Sequence, residues 1–285
     1  MFTFAVITCN RLHYLKNCVN SIIKFIGLDD INLLIIDNAS SEDGVDSYLS
    51  SLPPEIDIKS FKKRRIHELH RAMNYAIKYS RDKKSKYVNF IQDDYQYLYE
   101  NTDLLKWVHD AFKARKDVVQ LHTNLIWKYK AHKIGKVRPL SINGVKWFYL
   151  HGKAPCDNGF TKLSLYKKIG FYPSNVSVHG KERHYRSGES WFAKKCKNKY
   201  RMLLGQPNMG MIPDCAYIRG RIRYGKYFPP PAEFYLKPFN EQQISLIKAK
   251  ADKNKMSFIE TMIVTDGWIP SSKGKHSTQK IRTKI

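Results

Sequence analysis

The chain has 285 residues, 42% hydrophobic and 13% aromatic, which supports a packed core and excludes wholesale disorder. Its apolar runs stop far short of the ~20 residues of a membrane-spanning helix. Fifty Lys and Arg against 25 Asp and Glu set the net charge at +25, divided as +8 over residues 1–150 and +17 over 151–285, so the second half is suited to a polyanionic partner, either nucleic acid or an acidic membrane surface.

In chain order, Phe2–Thr8 reads as a buried strand, followed by a helical face of Leu12, Leu15, Val19, Ile22 and Ile26 at spacings of three and four. Ile31–Ile36 is a second apolar strand, ended by the polar turn Asp37-Asn38-Ala39-Ser40-Ser41. Leu69, Ala72, Met73, Ala76 and Ile77 form another helical face, and Tyr87–Ile91 a strand that runs into Asp93-Asp94. Continuous apolar strands alternating with helices predict a parallel sheet covered on both faces. Ligands collect at the carboxyl ends of such strands. Three polar clusters fall there: Thr8-Cys9-Asn10-Arg11, Asp37-Asn38 and Asp93-Asp94. Taken singly, each could be a set of turn formers and helix caps. Two adjacent carboxylates are the exception, because hard oxygen ligands suit Mg²⁺ or Mn²⁺ bound together with substrate phosphates. A glycine-rich phosphate loop is missing from the sequence, which disfavours a P-loop or dinucleotide site.

The ordered segments FAVITCNRLHYLKNCVNSI, LLIIDNASSEDG, HRAMNYAI and YVNFIQDDYQYL resemble the GT-A glycosyltransferases of the family-2 type over residues 2–100, and more loosely to about 217. The resemblance implies an α/β fold with a mixed, mainly parallel sheet flanked by helices. It implies that Thr8, Asn10 and Arg11 line a nucleotide pocket, and that Asp37, with Asn38 beside it, meets the nucleotide base. Arg71 and Asn74 would lie on a helix facing the donor. Asp93 and Asp94 would take the place of the DxD element, Asp94 as the direct metal ligand and Asp93 nearer the ribose or sugar. Tyr95 and Gln96 follow where a further acid is common. A divalent ion there would neutralise charge on a leaving diphosphate.

A helix over 103–116 and the strand Val118–Leu121 come next, then the basic, loop-like stretch Lys128–Arg138. Asp157-Asn158-Gly159-Phe160, with Leu163–Gly170 and Phe171-Tyr172-Pro173, resembles the family's segment that closes over the donor sugar. Ser187-Gly188-Glu189-Ser190-Trp191-Phe192 resembles the opening of its catalytic helix. An inverting transferase needs a carboxylate to take the acceptor's hydroxyl proton. Glu189 is the acid available, with Ser190 standing where the family often has Asp; Asp157, Glu182 and Asp214 are the alternatives, and Glu189 could also be an ordinary first-turn helix acid. The late metal-binding His of the family is replaced by the run Arg219, Arg221, Arg223, suited to phosphate contacts or to a solvated basic face.

Pro229-Pro230-Pro231 marks a module boundary. This predicts a transferase domain over 1–228, with a nucleotide-sugar half over 1–100 and an acceptor half over 101–228. A small strand-helix-helix extension over 229–270 and a basic flexible tail over 271–285 follow. The strand Glu233–Lys237, a helix from Glu241 to Lys253 and a helix capped by Ser257 and Glu260 weakly resemble a ribbon-helix-helix module. Such a ribbon would form a homodimer and read DNA through Tyr235 and Lys237; a helical hairpin packed on the catalytic domain is the plainer reading.

The function expected is metal-dependent transfer, by inversion, from a nucleotide-sugar, a UDP-sugar on this reading. The acceptor placed first is DNA carrying a hydroxymethylated base, as in viral genome glycosylation. The alternative is a lipid-linked or surface glycan at a membrane. Five cysteines, an odd number with no CxxC pair, predict reduced thiols. With no basic n-region or cleavage site before the first strand, a cytoplasmic location is expected.

Overall fold

The computed structural model describes residues 1–62, 68–125, 137–150, 159–173, 188–196, 199–211, 221–223, 226–228 and 241–252. Four strands lie in parallel order at its centre: β1 (Phe2–Thr8), β2 (Ile31–Asp37), β3 (Asp57–Ser60) and β4 (Tyr87–Gln92), arranged β3-β2-β1-β4. All seven residues of β1 are buried, which explains why five of them are apolar on both faces: both faces of the strand are covered. On one face α1 (Leu12–Phe25), α2 (Val45–Ser50) and α4 (Leu104–Ala114) pack over Phe4, Val6, Leu33 and Ile35. On the other, α3 (Glu68–Asp82), α5 (Leu163–Ile169) and α6 (Gly188–Cys196) pack over Ala5, Ile7, Leu34 and Phe90. Each large side chain fully buried this way contributes ~1.5–3 kcal/mol.

The second half breaks the strand–helix alternation. The short β5 (Tyr95–Tyr97) precedes β6 (Val118–Leu125), which is followed by the hairpin β7 (Val137–Ile142) and β8 (Val145–Leu150), then β9 (Gly159–Lys162) and β10 (Arg201–Met211). The sheet continues beyond β4 as β9-β6-β10-β8-β7, with β5 paired to β10. Strand β9 runs antiparallel to both β4 and β6, while β6 and β10 are parallel. Gly159 opens β9 with φ +110°, and a Cβ there would stand 2.6 Å from the Leu121 carbonyl oxygen, so only glycine fits this close approach.

One expectation needs amendment here. The stretch expected as a loop to Arg138 ends earlier, because β7 begins at Val137 and Arg138 pairs with Tyr149. Hairpin β7–β8 turns at Asn143-Gly144, with φ 50° and 78°, the left-handed pair that a two-residue hairpin turn requires. Helix α7 (Glu241–Asp252) lies where a helix was expected and packs on β10, with Ile247 fully buried. Arg221 and Arg223 belong by their backbone to β11 (Arg221–Arg223), paired with β12 (Lys226–Phe228). Arg219, Tyr235, Lys237, Asp157, Glu182, Asp214 and the expected second tail helix lie outside the described residues.

Candidate active site

Register brings the three polar clusters together. Thr8 pairs with Asp37 across β1 and β2, Ile7 pairs with Gln92 across β1 and β4, and the Asp93 amide donates to the Ile7 carbonyl at 3.2 Å. The carboxyl ends of three neighbouring parallel strands thus meet at one rim, the place such sheets offer to a ligand.

Asp93 and Asp94 sit at 0% and 2% exposure. Two adjacent buried carboxylates repel, and the chain offsets this with one guanidinium. Arg11 reaches Asp93 Oδ1 at 3.1 Å through one terminal nitrogen and Asp94 Oδ2 at 3.2 Å through the other. The Thr8 hydroxyl donates to Asp93 Oδ2 at 2.8 Å and so fixes the rotation of that carboxylate. The field of the pair is felt behind it. Burial first, then the charges of Asp93 and Asp94, push the Cys18 thiol well above its ordinary value, so Cys18 stays protonated. Cys9, Cys18 and Cys196 are free thiols, in keeping with the expectation for those three.

Asp37 is also buried, and burial lifts its carboxyl above the ordinary value; hydrogen bonds from the Ser40 hydroxyl and amide offset part of the rise, and Asp46 adds to it. Asn10, at φ 55°, turns the chain sharply after β1. Its side-chain carbonyl accepts the Ser41 amide at 2.6 Å and the Glu42 amide at 3.1 Å, and its own amide donates to Ser40 Oγ at 2.8 Å. Glu42 in turn accepts the Leu12 amide at 2.9 Å, and the Asn38 amide donates to the Thr8 carbonyl at 2.9 Å. These contacts lock the β1 and β2 loops as one unit. Ala39, at φ 57°, is a second left-handed non-glycine in that unit, and such conformations persist where surrounding bonds over-determine them.

Arg71 lies over the Phe61 ring at 3.9 Å, and the Phe61 amide bonds to the Asp37 carbonyl at 3.0 Å, which places Arg71 at the Asp37 corner. Asn74 uses both ends of its amide on the backbone of Tyr172, donating to its carbonyl at 2.8 Å and accepting its amide at 2.9 Å. Sequence reasoning missed Tyr172 as a hub. Its ring stacks on His70 at 5.5 Å and on Phe192 at 5.9 Å and meets Trp191 at 5.3 Å, while its hydroxyl pairs with that of Tyr166 at 3.1 Å. Helix α6, whose second residue is Glu189, is thereby fastened to α3 and α5. The signal in the sequence was aromatic clustering around 166, 172, 191 and 192, which names no partner until the fold does.

The donor set at Asp93 and Asp94 is oxygen only, and among the described residues no group of three or more His, Cys, Asp or Glu side chains gathers to hold a metal. Two carboxylates fit Mg²⁺ or Mn²⁺ taking its remaining oxygens from phosphates and water, and fit poorly a cation that needs an all-protein cage. A different cavity, of about 740 Å³, opens at the opposite end of the sheet and is lined by lysines and Arg81. Among the described residues no helix is long and apolar enough to cross a membrane.

Comparison with known proteins agrees with this architecture. No curated protein sequence matches the chain. Residues 1–349 of TarS from S. aureus superpose with a TM-score of 0.51 at 15% identity, over 73% of this chain and 59% of that one. Their complex with UDP-GlcNAc gives 0.50 at 15% identity, over 87% and 66%. The mannosyltransferase PcManGT from Pyrobaculum calidifontis, in complex with GDP-Man and Mn2+, gives 0.50 at 16% identity, over 76% and 58%. The chain thus spans less than two thirds of the length of these structures, and the likeness is one of fold, the GT-A arrangement of a mostly parallel sheet between helices. The model of the family described as "Glycosyl transferase family 2" matches residues 3–156, more than half of the chain, and the protein belongs to that family.

Proposed function

We propose that the protein transfers a sugar from a nucleoside-diphosphate donor, a UDP-sugar in the first instance, to an acceptor hydroxyl with the help of Mn²⁺ or Mg²⁺. The observation that carries this reading is the buried Asp93–Asp94 pair, bridged by Arg11 and one strand away from Asp37. The structures similar in fold contain UDP-GlcNAc in one case and GDP-Man with Mn2+ in another, which supports the class of donor.

The Asp37 carboxylate accepts the imide N–H of the base, and the locked loop of Asn10, Asn38 and Ser40 presents it. Asp94, with Asp93 beside it and turned by Thr8, would hold the divalent cation, which would supply neutralisation of charge on the leaving diphosphate. Arg11, freed from bridging two carboxylates, supplies a second positive charge to the phosphates. Arg71 stands at the donor corner, and Asn74 acts as a positioning residue through Tyr172 rather than as a donor contact. Glu189 is the proposed base for the acceptor hydroxyl, on a helix that Tyr172 and Phe192 hold against α3. Arg219, Arg221 and Arg223 remain proposed phosphate contacts.

On the acceptor, the +25 charge supports a polyanionic environment. DNA with a hydroxymethylated base, contacted through Tyr235 and Lys237, and a lipid-linked or surface glycan are the two proposals. The basic cavity far from the donor rim favours the second, because a surface can be gripped there while the site stays open.

The test is calorimetric titration of UDP and GDP with and without Mn²⁺, followed by turnover of UDP-sugars in the Glu189→Gln variant. Metal-dependent nucleotide binding, and a loss of transfer of ~10²-fold or more in the variant, are expected. Failure of any nucleoside diphosphate to bind would remove the donor reading; a normal rate in the variant would return the role of base to another acid.

A further inference from the structure

The cavity at the amino end of the sheet belongs to no part of the transfer reaction. It forms where β4, β6 and β10 begin, between the end of α3 and the start of α5, with Tyr87, Val119, Leu163 and Tyr200 in its wall. Six cations surround it: Arg81, Lys84, Lys86, Lys116, Lys167 and Lys168. Among the described residues no Asp or Glu lines it. A seventh cation, Lys162, turns inward and donates to the Arg115 carbonyl at 3.1 Å. The rim lysines Lys84, Lys86, Lys116, Lys167 and Lys168 are exposed. Like charges gathered around one concavity repel, and an anion held between them would relieve that repulsion.

The end of α3 shows how the backbone serves this rim. The Ser85 amide bonds back to the Ser80 carbonyl at 2.9 Å and the Lys84 amide to the Arg81 carbonyl at 2.9 Å, the double bond pattern that closes a helix on a left-handed residue. That residue has φ 54° and is Lys84, where glycine is the ordinary occupant. The chain thus holds a cation at a strained position that faces the cavity.

Apolar tips flank the cations. Phe171, 37% exposed, carries Arg81 over its ring at 5.0 Å and Lys78 at 5.7 Å. Met1, 62% exposed, adjoins the rim through its carbonyl, which accepts the Lys86 amide at 3.0 Å. Four large hydrophobic side chains are exposed among the described residues, and two of them stand at this rim. A soluble polyanion gives exposed apolar atoms nothing to bury against, and stacking of single-stranded bases needs open aromatic faces, of which this wall offers the half-buried Tyr200 while Tyr87 is buried. An anionic bilayer uses both features, phosphate headgroups for the cations and the acyl boundary for the tips.

We infer that the amino end of the sheet is a docking surface for anionic phospholipid, with the cavity between Lys84, Lys86, Lys167 and Lys168 receiving a headgroup phosphate. The donor rim then faces away from the bilayer by the length of β1, ~20 Å for its seven residues, and acts on acceptors that extend that far from the surface. This docking does not depend on which sugar is moved, and vesicle binding is read without turnover, so its failure leaves the transferase reading standing.

The experiment is co-sedimentation of the full chain with phosphatidylcholine vesicles, with and without phosphatidylglycerol. Binding should require the anionic lipid. The combined variant Lys84→Gln, Lys86→Gln, Lys167→Gln, Lys168→Gln should bind at least ~10-fold more weakly, and Phe171→Ser should weaken it further. A control with the same loss of charge on α1 and α4 (Lys16→Gln, Lys24→Gln, Lys106→Gln, Lys113→Gln) should bind as the parent does, and circular dichroism reports that both are folded. Equal loss in the two sets, or equal binding to neutral vesicles, would overturn the inference. Loss of duplex DNA or polyphosphate binding in the rim variant, without any vesicle binding, would assign the cavity to a soluble polyanion instead.

Discussion

The two ends of β1 and β4 carry opposite charge in opposite circumstances. At the carboxyl end Asp37, Asp93 and Asp94 are buried, and Arg11, Thr8 and Ser40 answer them at 2.5–3.2 Å. At the amino end Lys84, Lys86, Lys167 and Lys168 are exposed around an open cavity. The contrast teaches that a charge matters to the fold in proportion to how far water has been removed from it. Buried and answered, it is part of the structure; exposed and repeated, it is available to something else.

The largest effect expected from breaking this contrast is on turnover. Asp94→Ala should lower metal-dependent transfer by about 10²- to 10³-fold or more while the circular dichroism spectrum is retained; activity near the parent's would remove Asp94 from the metal site. Arg11→Met leaves two adjacent carboxylates without their shared cation, so unfolding in denaturant should show a loss of about 3 kcal/mol, part of it recovered on adding Mn²⁺. An unchanged midpoint would mean that the bridge is incidental.

Asp37→Asn separates binding from stability. Burial raises the carboxyl, so the native chain keeps this proton to higher pH than the unfolded chain does, and ionisation costs stability as the pH rises through the interval above 3.8. The amide removes that cost. UDP affinity should fall ~10-fold while stability at pH 7 is no lower than the parent's; lower stability would show that the Ser40 hydrogen bonds outweigh burial. The smallest effect belongs to the amino end, where the four-lysine variant should change stability by no more than about 0.5 kcal/mol per site. A large loss would show those lysines to be part of the fold after all.

The first half was legible because β1, β2 and β4 are covered on both faces and therefore mostly apolar, broken by Thr3, Asn32 and Asn89 alone before their ends, and because the polar clusters at those ends stand out against that background. The position of Asp37 beside Thr8 follows from parallel register alone. What Asn10 and Asn74 do was not legible. Each directs its side-chain carbonyl at backbone amides, of Ser41 and Glu42 in one case and Tyr172 in the other, and no local pattern announces a partner 98 residues away. The hairpin β7–β8 and the strand β9 were lost for a different reason. The strands are short, six residues each in β7 and β8 and four in β9, so periodicity has few residues to speak through, and the Asn143-Gly144 turn is the one local mark of the hairpin.

Strand β9 has a consequence for exchange between relatives. It is four residues long, yet it supplies the antiparallel neighbour of both β4 and β6. It is the seam that joins the parallel block β3-β2-β1-β4 to the mixed block β6-β10-β8-β7. A chimaera cut within Gly159–Lys162 would leave the edges of β4 and β6 as unpaired ladders open to aggregation. One that carries the four residues whole, glycine first, hands the recipient a complete joint, and the parallel first half can then be recombined with a different second half.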